Sequence, residues 1–172
     1  MADVAVVVAS GFEQAEMETI RRALAAAGHR PVVVSPKKHA VRGWDNTHWG
    51  ADLPVDVAAI DARADTFAAI VLPGGLLSAD TLRADHDIVE LVRAAALAGK
   101  PVAALGHAAW VLIEAGLAKG RRMTGAPSVH SDLVNAGADW TGTPAMDDGK
   151  VITGQHGHDV AAFMQLVTAT LA

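Results

Sequence analysis

The chain has no cysteine. Disulfides and thiolate zinc sites are therefore excluded, and so is any covalent mechanism that begins with a thiol. No uninterrupted apolar run approaches the ~20 residues needed to cross a bilayer. Hydrophobic residues make up 51% of the chain, but they are Ala, Val and Leu in short pieces. There is no basic cluster and the net charge is −5, so neither nucleic acid nor membrane is expected as a partner. Met1-Ala2-Asp3 runs straight into an apolar stretch without a basic segment, which predicts a cytoplasmic protein. No repeat or low-complexity tract interrupts the 172 residues, a length that fits one domain over 1–172. A chain of that size buries about two thirds of its unfolded surface.

What is present is organised around Lys100–Gly116, KPVAALGHAAWVLIEAG. Pro101–Leu105 reads as a buried parallel strand, Gly106-His107 as a break, and Ala108–Ala115 as the start of an apolar helix. A strand, sharp turn and helix lift the central residue to the carboxyl edge of a sheet, where open α/β proteins bind ligands. In a nucleophile elbow that residue is the attacking Ser or Cys. Here it is Gly106, which has no side chain to attack with.

The rest of the chain alternates in the same way. Val4–Ala9 and Pro31–Ser35 read as strands around a helix over Glu13–Ala27, whose Met17, Ile20, Leu24 and Ala27 recur at helical spacing. That unit implies a right-handed crossover and a parallel sheet. Lys37–Val57, with Trp44 and Trp49, is expected to be a loop carrying a hairpin whose tryptophans cover one end of the core. Phe67–Leu72 is a further strand, followed by a turn at Pro73-Gly74-Gly75. Asp80–Asp87 reads as a short helical turn and Ile88–Leu97 as an amphipathic helix. Pro127–Asn135 is a short helix. Trp140-Thr141, Ala145-Met146 and Val151–Thr153 are strands, with a hairpin turn at Asp148-Gly149. Asp159–Leu171 is the last helix. The pattern predicts a flavodoxin-like three-layer α/β sandwich with a mostly parallel central sheet.

Several stretches together carry a family resemblance. They are Gly11-Phe12-Glu13-Gln14-Ala15-Glu16, Gly43-Trp44 through Trp49-Gly50, Val71-Leu72-Pro73-Gly74-Gly75, Ala104-Leu105-Gly106-His107-Ala108, Ile113-Glu114-Ala115-Gly116-Leu117, and Asp132-Leu133 with Asn135-Ala136-Gly137. In this order they resemble the PfpI-type branch of the ThiJ/PfpI superfamily (class I glutamine-amidotransferase-like), from about Val4 to about Phe163. The resemblance places a cysteine at the position of Gly106 and a glycine at that of Ala108. It implies a homodimer or higher homo-oligomer and places Lys37–Val57 near the pocket or a subunit contact. A small-molecule ligand or substrate is the expected partner, with no cofactor and no metal.

The resemblance also assigns candidate site residues. The glutamate at the position of Glu16 bonds the elbow cysteine in the family. Without that partner, a partly buried carboxylate is expected to have a raised pKa and to act as acid or base. The alternative is a solvated first-turn glutamate. Glu13 lies one turn earlier on the predicted helix and faces the same strand ends. His107 is the family's base and still moves protons near neutral pH, unless it only caps the elbow. Gly74 and Gly75 would let a backbone N–H approach an oxyanion. Ala108, Ala126, His130 and His156 complete the expected pocket. His156 and His158 read as a helix start capped by Asp159 rather than as metal ligands. Gly106, Ala126 and Gly154 all replace larger residues of the family pattern, which suggests a widened pocket.

Three functions fit. One is a cofactor-free acid–base enzyme using Glu16 and His107, of the hydratase, lyase, isomerase or cyclase type. Another is a non-catalytic ligand-binding or stress protein. The third is a PfpI-type cysteine hydrolase, glyoxalase or deglycase inactivated by a Cys-to-Gly change.

Overall fold

The computed structural model describes all 172 residues. Six helices occur: α1 Gln14–Ala26, α2 Leu76–Arg83, α3 His86–Leu97, α4 Ala109–Glu114, α5 His130–Asn135 and α6 Val160–Leu171. Seven strands form the central sheet. Their spatial order is Ala145–Asp148, Val151–Gly154, Val102–Leu105, Ala69–Leu72, Asp3–Val7, Arg30–Ser35 and Val57–Ala58. Every neighbouring pair is parallel except the first, which is an antiparallel hairpin. Its turn, Gly149-Lys150, has φ of 65° and 75°, the doubly positive form that matches strand twist.

The inner strands are mostly apolar because both faces are covered, whereas the edge strand Ala145–Asp148 is only partly buried and carries Asp147 and Asp148. Alternate residues of one strand enter opposite cores. Ala5 and Val7 pack with Leu82, Val92 and Leu112 of α2, α3 and α4. Val4 and Val6 pack with Ile20 of α1 and Phe163 of α6. This is the flavodoxin-like three-layer architecture expected from the alternation.

The chain departs from the expectation in several places, three of them near α1, α2 and the hairpin. Leu76–Arg83 is a full helix, and the segment Asp80–Asp87 spans its end and the start of α3. The periodicity hides α2 because Leu76 and Leu77 are exposed, leaving Ser78, Ala79 and Leu82 as its only buried residues. Asp85 separates the two helices, its carboxylate accepting the Ile88 N–H at 3.0 Å as an N-cap. The second departure is Glu13, which pairs in a two-residue strand, Phe12–Glu13, and precedes α1. Third, Ala40–Asp45 and His48–Pro54 do form a hairpin, but its tryptophans do not cover the core. Trp44 and Trp49 meet edge to face across the strands at 5.4 Å, and Trp49 is 49% exposed.

Lys100 ties the entry of the elbow strand to the preceding crossover. Its ammonium donates to the carbonyls of Ala64, Asp65 and Phe67 at 2.6, 3.1 and 2.5 Å. Lys100→Met leaves these carbonyls without that donor, and the expected loss is about 2 kcal/mol. The midpoint of urea unfolding measures it.

The strand order fixes where a ligand site can form. From Asp3–Val7 the chain builds outward through Arg30–Ser35 and Val57–Ala58, then crosses back to Ala69–Leu72 on the other side. The reversal opens a crevice at the carboxyl ends of Asp3–Val7 and Ala69–Leu72, the position favoured for ligands in such sheets.

Candidate active site

A cavity of about 340 Å³ lies at that edge. The segments that follow four strands converge on it, carrying Glu13 and Glu16, Gly74 and Gly75, Gly106 and His107, and Gln155 through Gly157. Ala126 adds a small wall. A smaller cavity of about 190 Å³ lies between α1 and the hairpin, but its Glu18, Arg21 and Asp52 are exposed and solvated.

Glu16 projects from the first turn of α1 and is only 9% exposed. Its Oε2 accepts the Gly74 N–H at 2.7 Å. Two glycines clamp the carboxyl. A Cβ at Gly74 would stand 2.5 Å from Oε2, and one at Gly157 would stand 2.8 Å from Oε1. Removal from water disfavours the ionised form and pushes the pKa up to about 7, with the Glu13 charge adding to the rise and the Gly74 N–H opposing it. Glu13 is half-buried, and its carboxyl is raised by burial and then by Asp45.

Gly106 follows Leu105 at φ +61° and opens a 3₁₀ turn, Gly106–Ala108, that leads into α4. His107 is half-buried. Its Nε2 lies 2.8 Å from Ser128 Oγ, and its ring meets the edge of Trp110 at 5.4 Å. Burial lowers its pKa below the usual imidazole value, and the neighbouring His156 lowers it further.

Other expected pocket residues are placed differently. Ala108 is fully buried in the core and does not line the cavity. Three residues per turn send Gly106, His107 and Ala108 in three directions. His130 starts α5 on the exposed side, with its ring 5.0 Å from Trp140, and it too lies outside the cavity. Gly154 does not widen the pocket. A Cβ there would stand 2.6 Å from Leu105 Cδ1 and 3.0 Å from Phe163 Cδ2, so core packing accounts for that glycine. The Gly74 N–H serves Glu16 rather than an oxyanion. His156 and His158 stack at 4.8 Å, His156 lines the cavity, and Asp159 accepts the His156 N–H at 3.2 Å. No group of three or more His, Cys, Asp or Glu side chains is placed to hold a metal ion.

The sequence reading missed Ser128, Gln155, Gly157 and Leu76. For Ser128, the signal was a hydroxyl in the Pro127-Ser128 turn next to Ala126. Nothing in the sequence placed Gly157 against Glu16.

A flavodoxin-like sheet with a strand–turn–helix elbow, and a glutamate and a histidine lining one cavity at its carboxyl edge, defines the class of protein. The chain belongs to the DJ-1/PfpI family, whose model matches residues 2–170. It is 32% identical to deglycase PfpI of Pyrococcus furiosus over 157 residues, covering 91% of this chain and 92% of that one. It is 37% identical to general stress protein 18 of Bacillus subtilis over 137 residues, covering 79% and 77%. Among solved structures, it matches the two-domain protein from Anabaena variabilis that joins a DJ-1/ThiJ/PfpI-like domain to a ferritin-like one. The TM-score is 0.93 at 30% identity, covering 99% of this chain and 48% of that one. No helix is long and apolar enough to cross a membrane.

Proposed function

We propose that this protein is a cofactor-free acid–base enzyme acting on a small carbonyl compound, with Glu16 as the acid and His107 as the base. One observation carries the reading: both groups line one cavity and their environments shift them in opposite senses. Glu16 keeps its proton up to about pH 7. His107 gives up its proton at lower pH than a free imidazole does. Near neutrality a protonated acid and a neutral base coexist, the arrangement proton transfer needs.

The chemistry balances without a nucleophilic side chain. His107 takes a proton from water as its oxygen bonds to the carbonyl carbon. The carbonyl electron pair moves to oxygen, which takes the Glu16 proton. Solvent then returns the proton from His107 to Glu16. For an isomerase, His107 instead takes the proton from a hydroxyl-bearing carbon beside the carbonyl as Glu16 protonates the carbonyl oxygen; the imidazolium then gives that proton to the former carbonyl carbon as the other hydroxyl returns a proton to the Glu16 carboxylate. The relatives named deglycases support a carbonyl-derived substrate. We extend the proposal to a homodimer or higher homo-oligomer, which would cover the exposed Trp49, Leu76 and Leu77.

Methylglyoxal consumption, followed against pH, tests the acid–base reading. The expected profile is a bell whose alkaline limb falls at about pH 7 as Glu16 ionises. In Glu16→Gln the optimum disappears and the rate drops roughly 10²-fold or more. The competing reading is a non-catalytic ligand-binding or stress protein, favoured by the similarity to general stress protein 18. An absence of turnover at every pH, in wild type and variant alike, supports that alternative.

A further inference from the structure

We infer that Glu13 selects the substrate: its carboxylate takes the ammonium of a cationic amino ketone or amino aldehyde and turns away compounds that carry a carboxylate. The inference names the substrate class of the acid–base reading and rests on that reading for the reaction, though not for binding.

Glu13 is a cavity charge that the mechanism leaves unused. It lines the same cavity as Glu16 and His107, and Glu16 feels its charge. Its backbone is fixed from two sides. The Glu13 N–H donates to the Gly74 carbonyl at 3.0 Å, and Phe12–Glu13 pairs in parallel with Gly43-Trp44 of the hairpin. The half-buried carboxyl has no such support. Burial acts on it first and the neighbouring Asp45 second, and both disfavour its charge. No donor of the chain offsets them.

The groups around it are engaged elsewhere. No lysine or arginine lines the cavity. Arg42, the one arginine of the hairpin, donates to Asp52 at 2.7 Å. Asp45 has partners of its own, the Asn46 side-chain amide at 3.0 Å and the His48 ring at 3.8 Å. Glu16 accepts the Gly74 N–H, His107 lies against Ser128, and His156 stacks on His158.

A ligand ammonium answers both penalties at once. It donates to carboxylate oxygens that lack a donor, and its charge offsets the repulsion from Asp45. A hydroxyl supplies the hydrogen bond without the charge. A ligand carboxylate adds negative charge beside Glu13 and Asp45, which selects against it. Glu13 immediately precedes α1 and Glu16 lies in its first turn. The ammonium and the carbonyl that meets Glu16 are therefore close neighbours in the ligand. Leu76 and Ala126 give its alkyl part an apolar wall.

Three unreactive compounds share one carbon skeleton and differ in charge: isopropanolamine, propylene glycol and lactate. Each is titrated into the wild-type protein near neutral pH at low salt, with the amide NMR shifts of the cavity residues as the readout. The amine is expected to bind roughly tenfold more tightly than the glycol, and lactate more weakly than either. Added salt weakens the amine and leaves the glycol unchanged. In Glu13→Gln the amine loses its advantage. Equal affinities of amine and glycol in the wild type, a preference for lactate, or no saturable binding of the amine overturns the inference. So does an amine preference that survives in Glu13→Gln. The wild-type ranking and its salt dependence decide the matter even if the variant fails to fold. None of the three compounds has a carbonyl, so the result stands apart from turnover. A missing pH optimum sinks the acid–base reading and leaves the amine preference intact, whereas an optimum without that preference sinks only this inference.

Discussion

Gly106→Cys is expected to give a folded protein with one reactive thiol and a methylglyoxal activity that iodoacetamide abolishes. Two features of the elbow support this. A Cβ at Gly106 meets only the Gln155 carbonyl, at 3.8 Å, so the side chain has room. The backbone already holds φ +61°, the left-handed region, and a side chain there costs roughly 1–2 kcal/mol. The strain lowers stability without closing the site. The new sulfur joins a cavity that also contains Glu16 and His107. Comparing both proteins with and without iodoacetamide separates thiol chemistry from the native reaction, because the wild type has no cysteine to alkylate. A variant that folds and alkylates yet shows no thiol-dependent turnover means that the elbow no longer places a thiol for attack.

The second large effect concerns stability. The Glu16 carboxyl has an ordinary value of 4.5 and a native value of about 7. Because the folded-state value is raised, the native state binds the proton more tightly than the unfolded chain. The associated stability is fully present below pH 4.5 and is lost as pH rises through about 7. The full difference amounts to about 3 kcal/mol. Glu16→Gln cannot ionise, so it lacks this loss. Relative to wild type, the variant gains on going from about pH 5 to about pH 8, by up to that amount. Urea unfolding of both proteins at the two pH values measures the gain. Groups remote from Glu16 contribute to both proteins alike, so the difference reports Glu16 together with its coupling to Glu13. An equal pH dependence in both contradicts a carboxyl held protonated by burial.

Much of the fold was legible because the central strands are buried on both faces and read as continuous apolar runs. The elbow was legible for the same reason, with Gly106 breaking an apolar strand from an apolar helix. α2 was not, since a helix with two exposed leucines in its first turn shows no clear stripe. The hairpin tryptophans were misplaced because large aromatics are usually buried, whereas Trp44 and Trp49 pack on each other. At the site, Glu16 and His107 came from the family pattern, and the structure brings them to one cavity. The misplaced residues share a cause. Ala108, His130 and Gly154 lie within three residues of a cavity-lining or cavity-bonded position, but local turn geometry decides which way each faces. The clamp of Gly74 and Gly157 on the Glu16 carboxyl joins residues far apart in sequence, so no local pattern could reveal it.

The acid–base mechanism requires a glutamic acid that keeps its proton near neutral pH. Carbon-13 NMR of the glutamate side-chain carboxyls, titrated from acid to alkaline pH, measures this in the unmodified protein. Of the five glutamates, one resonance is expected to titrate at about 7 and to vanish from the Glu16→Gln spectrum. If all of them titrate in the ordinary carboxylate range, Glu16 is ionised at neutrality. It then cannot serve as the acid, and the acid–base mechanism is wrong.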